Sequence, residues 1–544
     1  MTGSDAQGFL WLGPDGPEVA ADLAGSKAAG LSRMARLGLP VPPAFALPTT
    51  MCAGVNAEPD RAAELVKPAL RAGLRRLEAA TGSSLGDPRS PLLVSVRSGA
   101  KVSMPGMLST VLDVGLSLEA VHGLIRRTGD PRLAWDSRRR FIETWATVVR
   151  GASPAPFARK LADMARAEVA KDETELDNDA LERLSAEFLE LASAARAAPP
   201  VTPVDQLVEA ALAVFRSWEA PKAREYRRMT HLEDLAGTAV VVQAMVFGNS
   251  GRRSGAGVAF SRDPATGAKG LYLDFLFDAQ GEDVVSGRRT PLDAERLGSR
   301  LPNVLSALGE GAAKLEAEYR DAQDVEFTIE DGRLWFLQTR TAKRTPRAAL
   351  RTAVDLVREG VIDEATGLAR VGGIDPDAAS TTRFVEPALA AAQGVAASPG
   401  VASGRIAFES AHAKALAAEG PVILIRREPA TEDIEGFAVA DGILTAVGGR
   451  TAHAAVVARH MGKPCVVGCS GLKLDEAGRR ASVGGQALEE GDWISLDGDT
   501  GEVSLGRRTI AAERLEPELA EIAGWKRRAA ARGEPIDAKQ LAHR

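Results

Sequence analysis

Apolar and polar positions follow three regimes along this chain. Short β-type runs come first: 8–12 reads as a strand, and 92–97 alternates and delivers Arg97 at its end. Between them, 23–34 reads as a glycine-containing turn entering a helix, with Lys27 at the entry. From Pro131 to about Arg196 the period becomes helical, with amphipathic stretches at 134–142 and 179–195. β-type runs dominate again from Val240 to Arg340, where 240–247 and 255–262 read as buried strands, 272–276 precedes 280–285, and 324–329 pairs with 334–340. A helical connector follows at 346–359, closed by Gly360, and at 363–370. A second, smaller α/β region starts near 396 with strand-like runs at 421–425 and 442–446. It continues as an Ala/Val-rich helix ending at Gly462, two residues before Pro464, and closes with 491–498 and 501–505. After about Arg508 the pattern is a charged helix with a basic end, Lys526-Arg527-Arg528, expected to be solvated or to dock on a partner.

A length of 544 residues makes this an α/β chain of more than one domain, because single cores stop growing at roughly 250–300 residues. The net charge of -6 is small for that length and argues against a nucleic-acid partner. Three cysteines, Cys52, Cys465 and Cys469, cannot form an even disulfide framework and match no zinc spacing. With no basic segment leading into an apolar one and no 18-residue apolar run, the expectation is a cytoplasmic protein with no membrane partner.

Chemistry enters with the stretch around His453. The run 442–446 leads into Val447-Gly448-Gly449-Arg450-Thr451-Ala452-His453, so the histidine falls near the first turn of a helix. Unsatisfied N–H groups and the positive dipole end there disfavour an imidazolium and favour an anion. A neutral imidazole in that field is a competent nucleophile, and a phosphoryl group placed on it would be held by the same field. An isolated histidine at such a place is more often a core or capping residue, and Thr451 is expected as the N-cap.

Other candidates have bland readings beside the functional ones. The loop after Arg97, Ser98-Gly99-Ala100-Lys101-Val102-Ser103-Met104-Pro105-Gly106-Met107, can fold over phosphates with its N–H groups inward or be an ordinary surface loop. Two-residue spacing puts Asp324 and Glu326 on one strand face, and Gln338 and Arg340 on one face of the next strand. Converging hard oxygens suit Mg²⁺, although paired carboxylates are commonly just solvated. The arginines at 138–140 are either a phosphate patch or a solvated helix face.

The run from Val447 to Cys465 resembles the phosphohistidine signature of pyruvate phosphate dikinase and its relatives, and its Met461-Gly462-Lys463-Pro464-Cys465 ending is closest to the dikinase itself. The segment Gly25-Ser26-Lys27-Ala28-Ala29-Gly30 with 38–45 resembles the start of the dikinase ATP-binding domain, where the family usually has Gly-Gly-Lys-Gly-Ala-Asn. The 97–107 run resembles the family's phosphate-covering loop, with Ser109 where Asp is common. The run order from 240 to 340 resembles an ATP-grasp domain, with Asp274 in place of a usual Glu.

The resemblance implies an ATP-grasp domain over 1–343 with a helical insertion at about 116–200, then a helical linker at 344–394. A swivelling β/β/α phosphohistidine carrier over 395–508 and a helical tail at 509–544 complete the chain. It implies ATP and Mg²⁺, with Lys27, Arg97, Ser103, Gly106, Gln243, Glu282, Gln338 and Arg340 at the nucleotide and Asp324, Glu326 and Gln338 at the metal. His453, Arg97 and Arg340 would be catalytic, the β-phosphoryl retained on His453, AMP released and the γ-phosphoryl passed to orthophosphate. A complete dikinase carries a further TIM barrel of roughly 250 residues. Only 544 minus 508, or 36, residues follow Arg508. The acceptor is therefore expected on a separate barrel-bearing protein or as a small molecule. The competing expectation, suggested by the departures at 26–30 and 109, is an inactive nucleotide-binding regulatory module.

Overall fold

The computed structural model describes residues 8–102, 104, 107–171, 173–285, 292–375, 380–427, 433–450, 452–475 and 479–532. The chain forms two compact units, 1–252 with 329–331 and 335–338, and 253–328 with 332–334 and 339–544.

The first unit is built on a five-stranded sheet in the order Leu10–Trp11, Ala44–Leu47, Ala239–Ala244, Val94–Gly99, Thr110–Val114, each neighbouring pair antiparallel. Alternation sorts its two faces. Phe45, Leu47, Val94, Val96, Val111, Val240 and Val242 join the main core with Leu70, Leu77, Val208 and Phe215 of helices Ala62–Thr81 and Pro203–Ser217. Each such side chain contributes about 1.5–3 kcal/mol of burial. The opposite face carries Ala44, Ala46, Ser95, Arg97, Val241 and Gln243, and helix Ala21–Arg36 lies against this sheet.

Helix boundaries follow local chemistry. Ser117, Asp130, Asp177 and Thr202 each accept a bond from a first-turn N–H, and Pro131 and Pro203 stand at the first helical position. The helical region therefore runs on past 200 through Pro203–Ser217 and Pro221–Met229, beyond the boundary that periodicity suggests.

The arginines at 138–140 form neither a phosphate patch nor a solvated face. Arg139 is 2% exposed and pairs with Asp136 at 2.6 Å, Glu173 at 3.3 Å and Glu143 at 3.4 Å, while Arg140 reaches Asp136 at 2.9 Å. Burial would raise the Asp136 carboxyl, but Arg139 and Arg140 outweigh it and hold it below the ordinary value. Removing one partner of a buried pair leaves an uncompensated charge, so Asp136→Ala is expected to cost this unit about 3–5 kcal/mol near neutral pH. A carboxyl depressed in the fold adds stability above its unfolded value of about 3.9 and loses it as pH falls through the folded value. The deficit should thus shrink in acid. Urea unfolding followed by the fluorescence of Trp135 and Trp145, at neutral pH and at about pH 3, checks both.

The second unit contains a sheet in the order Arg333–Thr341, Gln323–Glu330, Gly255–Arg262, Lys269–Phe277, whose hairpin 323–341 is shared out between the units. Helix Pro302–Tyr319 interrupts the stretch that reads as β-rich, and 281–285 is a short helix. Helices Pro346–Arg358, Glu364–Val371 and Glu516–Ala531 share a core of Leu350, Val354, Leu368, Ile522 and Trp525. One face of the charged tail helix packs on the connector, with Trp525 1% exposed and Arg358–Glu521 (2.7 Å) and Glu364–Arg528 (2.8 Å) at its flanks, while its basic end Lys526-Arg527-Arg528 is exposed as expected for a solvated face. The Ile522, Trp525, Ala529 spacing carried that information.

Beyond the connector, Thr381–Phe384 pairs antiparallel with Ile510–Glu513, so the chain enters and leaves the following module as a two-stranded ribbon. That module has an eight-stranded sheet whose centre, Val401–Ala407, Val422–Arg426, Gly442–Thr445 and Cys465–Val467, is parallel. Ala413, Phe437, Ala454, Ala455 and Ala458 pack helices on one face, and Leu472, Val483 and Leu488 pack a three-stranded sheet on the other. Two-sided cover explains the near-continuous apolar strands. This is the β/β/α layering expected for the carrier. Among the described residues no helix is long and apolar enough to cross a membrane.

Candidate active site

Strand Gly442–Thr445, helix His453–Met461 and strand Cys465–Val467 form a βαβ unit, with the two strands parallel neighbours. His453 is the first helical residue, at the carboxyl end of the parallel strands where open α/β sheets bind ligands. The backbone of His453 is described; its imidazole and all of Thr451 lie outside the described residues. Ala452, not Thr451, occupies the N-cap and contributes no side-chain bond, so the N-cap leaves the first-turn N–H groups to an anion. Gly448 at φ 116 lets the approach loop turn, and Thr445 Oγ1 donates to Val447 O at 2.7 Å.

Two residues that the sequence pattern did not single out hold this loop. Arg459, 5% exposed, donates to Ala397 O at 2.7 Å and to Arg450 O at 2.6 Å, tying the segment before the histidine to the entry strand. Arg450 donates to Ala396 O at 3.1 Å and lies 4.3 Å over the ring of Tyr272, whose hydroxyl donates to the same carbonyl at 3.3 Å. A lone arginine in an Ala/Val helix was the available signal for Arg459. Cys465 is no competing nucleophile, since burial pushes its thiol up to about 12.

On strand Gln323–Glu330, Asp324 and Glu326 share a face and one cation: Arg340 Nε lies 2.7 Å from Asp324 and Nη1 lies 3.6 Å from Glu326. Asp324 is 7% exposed, and its Oδ1 is buried with no hydrogen-bond partner among the described residues. Burial pushes its carboxyl up, against the pull of Arg340. An orphaned hard oxygen beside a second carboxylate fits a Mg²⁺ ligand set. No cluster of three or more acidic, His or Cys side chains suited to a metal occurs among the described residues, so two carboxylates are what the strand offers. Gln338 is 7% exposed on Arg333–Thr341, Asp274 is 3% exposed on Lys269–Phe277, and Glu282 is exposed in the first turn of Gly281–Val285.

In the first unit, Lys27 and Arg97 come to one sheet face. Gly25 breaks helix Ala21–Arg36 at φ 78, and Ser26 N donates to Ala100 O at 2.9 Å, so Lys27 starts the straight part of the helix beside the end of strand Val94–Gly99. A Cβ at Gly25 would stand 2.0 Å from Gly99 O. Gly25→Ala is therefore expected to cost about 1–3 kcal/mol in strain. It should also weaken nucleotide binding at least about tenfold by moving Lys27, read by calorimetric titration with ATP. Gln243 is 2% exposed and donates its amide to Pro42 O at 3.2 Å. Ser103 and Gly106 lie outside the described residues.

Comparison with known proteins now places the chain. Residues 62–305 and 299–360 match the family model "Pyruvate phosphate dikinase, AMP/ATP-binding domain", and residues 418–501 match "PEP-utilising enzyme, mobile domain". Together these define a two-part protein, an AMP/ATP-binding domain followed by a mobile domain of the kind found in PEP-utilising enzymes. The chain belongs to the pyruvate phosphate dikinase family. It is 44% identical to pyruvate, phosphate dikinase 2 of Zea mays over 515 residues, which are 93% of this chain and 58% of that one. To the pyruvate, phosphate dikinase of Clostridium symbiosum it is 43% identical over 511 residues, 93% of this chain and 58% of that one. For the chloroplastic pyruvate, phosphate dikinase 1 of Arabidopsis thaliana the figures are 42% over 509 residues, 92% and 53%. The chain thus spans a little over half the length of these relatives.

Proposed function

We propose that this chain is an ATP-dependent phosphotransferase that phosphorylates its own His453. The observation that supports it most is the backbone position of His453, first in a helix whose N-cap supplies no competing acceptor, at the carboxyl end of a parallel strand. In the proposed reaction an imidazole nitrogen attacks the β-phosphorus of ATP and the bond to the AMP oxygen breaks. The γ-phosphoryl then passes to orthophosphate, leaving pyrophosphate in solution and phosphohistidine on the protein. Lys27, Arg97 and Arg340 neutralise phosphate oxygens, and the first-turn N–H groups hold the phosphoryl after transfer. Asp324 and Glu326, with Gln338, would hold Mg²⁺, which supplies charge neutralisation on the triphosphate.

In this reading 1–343 is the nucleotide-binding part, 344–394 the connector, 395–508 the carrier and 509–544 a tail whose helix belongs with the connector. The relatives' names point to pyruvate as the eventual acceptor, met on another domain or chain. Three free, buried cysteines suit a reducing, cytoplasmic compartment. The test gives the protein ATP labelled separately at the β and γ positions, with and without orthophosphate. β-label on an acid-labile, base-stable adduct, with AMP released, is expected. Nucleotide binding with no adduct and no AMP would instead mark an inactive regulatory module.

A further inference from the structure

A cavity of about 760 Å³ lies on the carrier module at the end of helix His453–Met461 away from the histidine. Nine residues of helix separate the two, on the order of 13 Å, so this cavity is not the phosphoryl site. Its walls come from three places: the first turn of helix Pro346–Arg358, the two strands of the tethering ribbon and the edge of the carrier sheet. The volume lies within the range of small-molecule sites.

The charge of the lining is one-sided. Arg347, Lys463, Arg507 and Arg508 stand in the lining with one acid, Asp441, while Asp499, which accepts from Gly400 N at 2.9 Å, lies within electrostatic reach of Arg347. Asp441 is already engaged, accepting from Val422 N at 3.0 Å. Arg507 lies 4.6 Å over Trp493 and Arg508 3.7 Å over Phe384, rings outside the lining, and Arg508 also donates to Glu386 O, so these two bring their charge to the rim. The 13-residue helix adds the positive end of its dipole at the wall.

Two buried donors in this lining lack an acceptor. Ser398 is 1% exposed, yet its Oγ has no partner among the described residues, and Arg347 Nη1 is likewise buried and unmatched. A buried donor left unmade is expensive, and an anion seated deep enough to reach them would complete both. Arginine forks, a lysine point charge and a helix N-terminus together suit phosphate oxygens, and the volume leaves room for more than a bare phosphate.

We propose that this cavity binds a small phosphorylated organic molecule. Because its walls include both ribbon strands and the carrier sheet, such a ligand ties the carrier to its tether and restrains the module's travel. The inference does not depend on turnover at His453.

Isothermal calorimetry on the full chain carrying His453→Asn tests it, with glucose 6-phosphate as probe, inorganic phosphate as the minimal anion and citrate as the carboxylate control. Saturable binding of glucose 6-phosphate is expected, tighter than phosphate or citrate. It should weaken at least about tenfold in Arg347→Ala/Lys463→Ala, and measurably in Ser398→Ala, which removes no charge and keeps the fold testable by circular dichroism. Lys27→Ala, in the other unit, should bind as the parent does. Absence of binding, equal affinity in the cavity variants, citrate binding as tight as glucose 6-phosphate, or loss in Lys27→Ala alone would each overturn the proposal.

Discussion

Replacing His453 by asparagine is expected to abolish the acid-labile phosphoprotein and to cut ATP-dependent AMP formation by at least on the order of 10⁴-fold. Asparagine keeps the approximate size and hydrogen-bonding capacity of histidine but has no nucleophilic nitrogen. The helix does not need the imidazole to start: Ala452 is its N-cap, Val456 N donates to Ala452 O at 3.1 Å, and Gly462 in the left-handed region closes it. Folding and nucleotide affinity should therefore be retained, and that retention makes the loss informative. Mass spectrometry under conditions that preserve phosphoramidates, alongside an AMP assay, reads the result. Phosphate still found on the variant chain would move the nucleophile elsewhere and end the present reading.

The second large effect is expected at Asp324→Asn. The substitution keeps the shape of a 7% exposed side chain but removes the charge that Arg340 meets at 2.7 Å and leaves Arg340 with Glu326 at 3.6 Å. If Asp324 serves the metal nucleotide, phosphorylation of His453 should fall about 10²–10³-fold. The Mg²⁺ concentration for half-maximal rate should rise with it, since one hard anionic ligand is gone. The rate is measured against Mg²⁺ at fixed ATP. A variant with lowered thermal stability but an unchanged Mg²⁺ curve would show that the Asp324–Arg340 pair only holds the strands together, a role buried ion pairs often have.

Local signals in the chain are legible to the extent that their partners lie close in sequence. The β/β/α module is legible because its strands are near-continuous apolar runs and its key helix is bracketed by Gly448-Gly449 and by Gly462 with Pro464, all within a few residues of the features they explain. The N-cap falls one residue after the position its chemistry suggests: Thr451 has the better side chain for the role, but the turn places Ala452 there. The helices Ala62–Thr81 and Pro302–Tyr319 are hard to see in the sequence: Pro68 stands inside the first, and small and charged residues blur the period of both.

Residue type, spacing and turn chemistry determine where helices and strands begin, which strand faces are apolar, and that His453 stands where a helix meets a glycine loop, since all of these act over one or two turns of chain. Partners distant in sequence decide the rest. Arg139 is buried because Glu173, 34 residues on, joins Asp136 around it; one face of the tail helix is anchored because helices some 160 residues earlier offer Glu364 and Arg358. Asp324 holds Arg340 rather than water because the following strand brings that guanidinium to it. Charge alone is ambiguous along a sequence, because the same arginine is a solvated cation, a phosphate ligand or half of a buried pair according to what the fold sets opposite it.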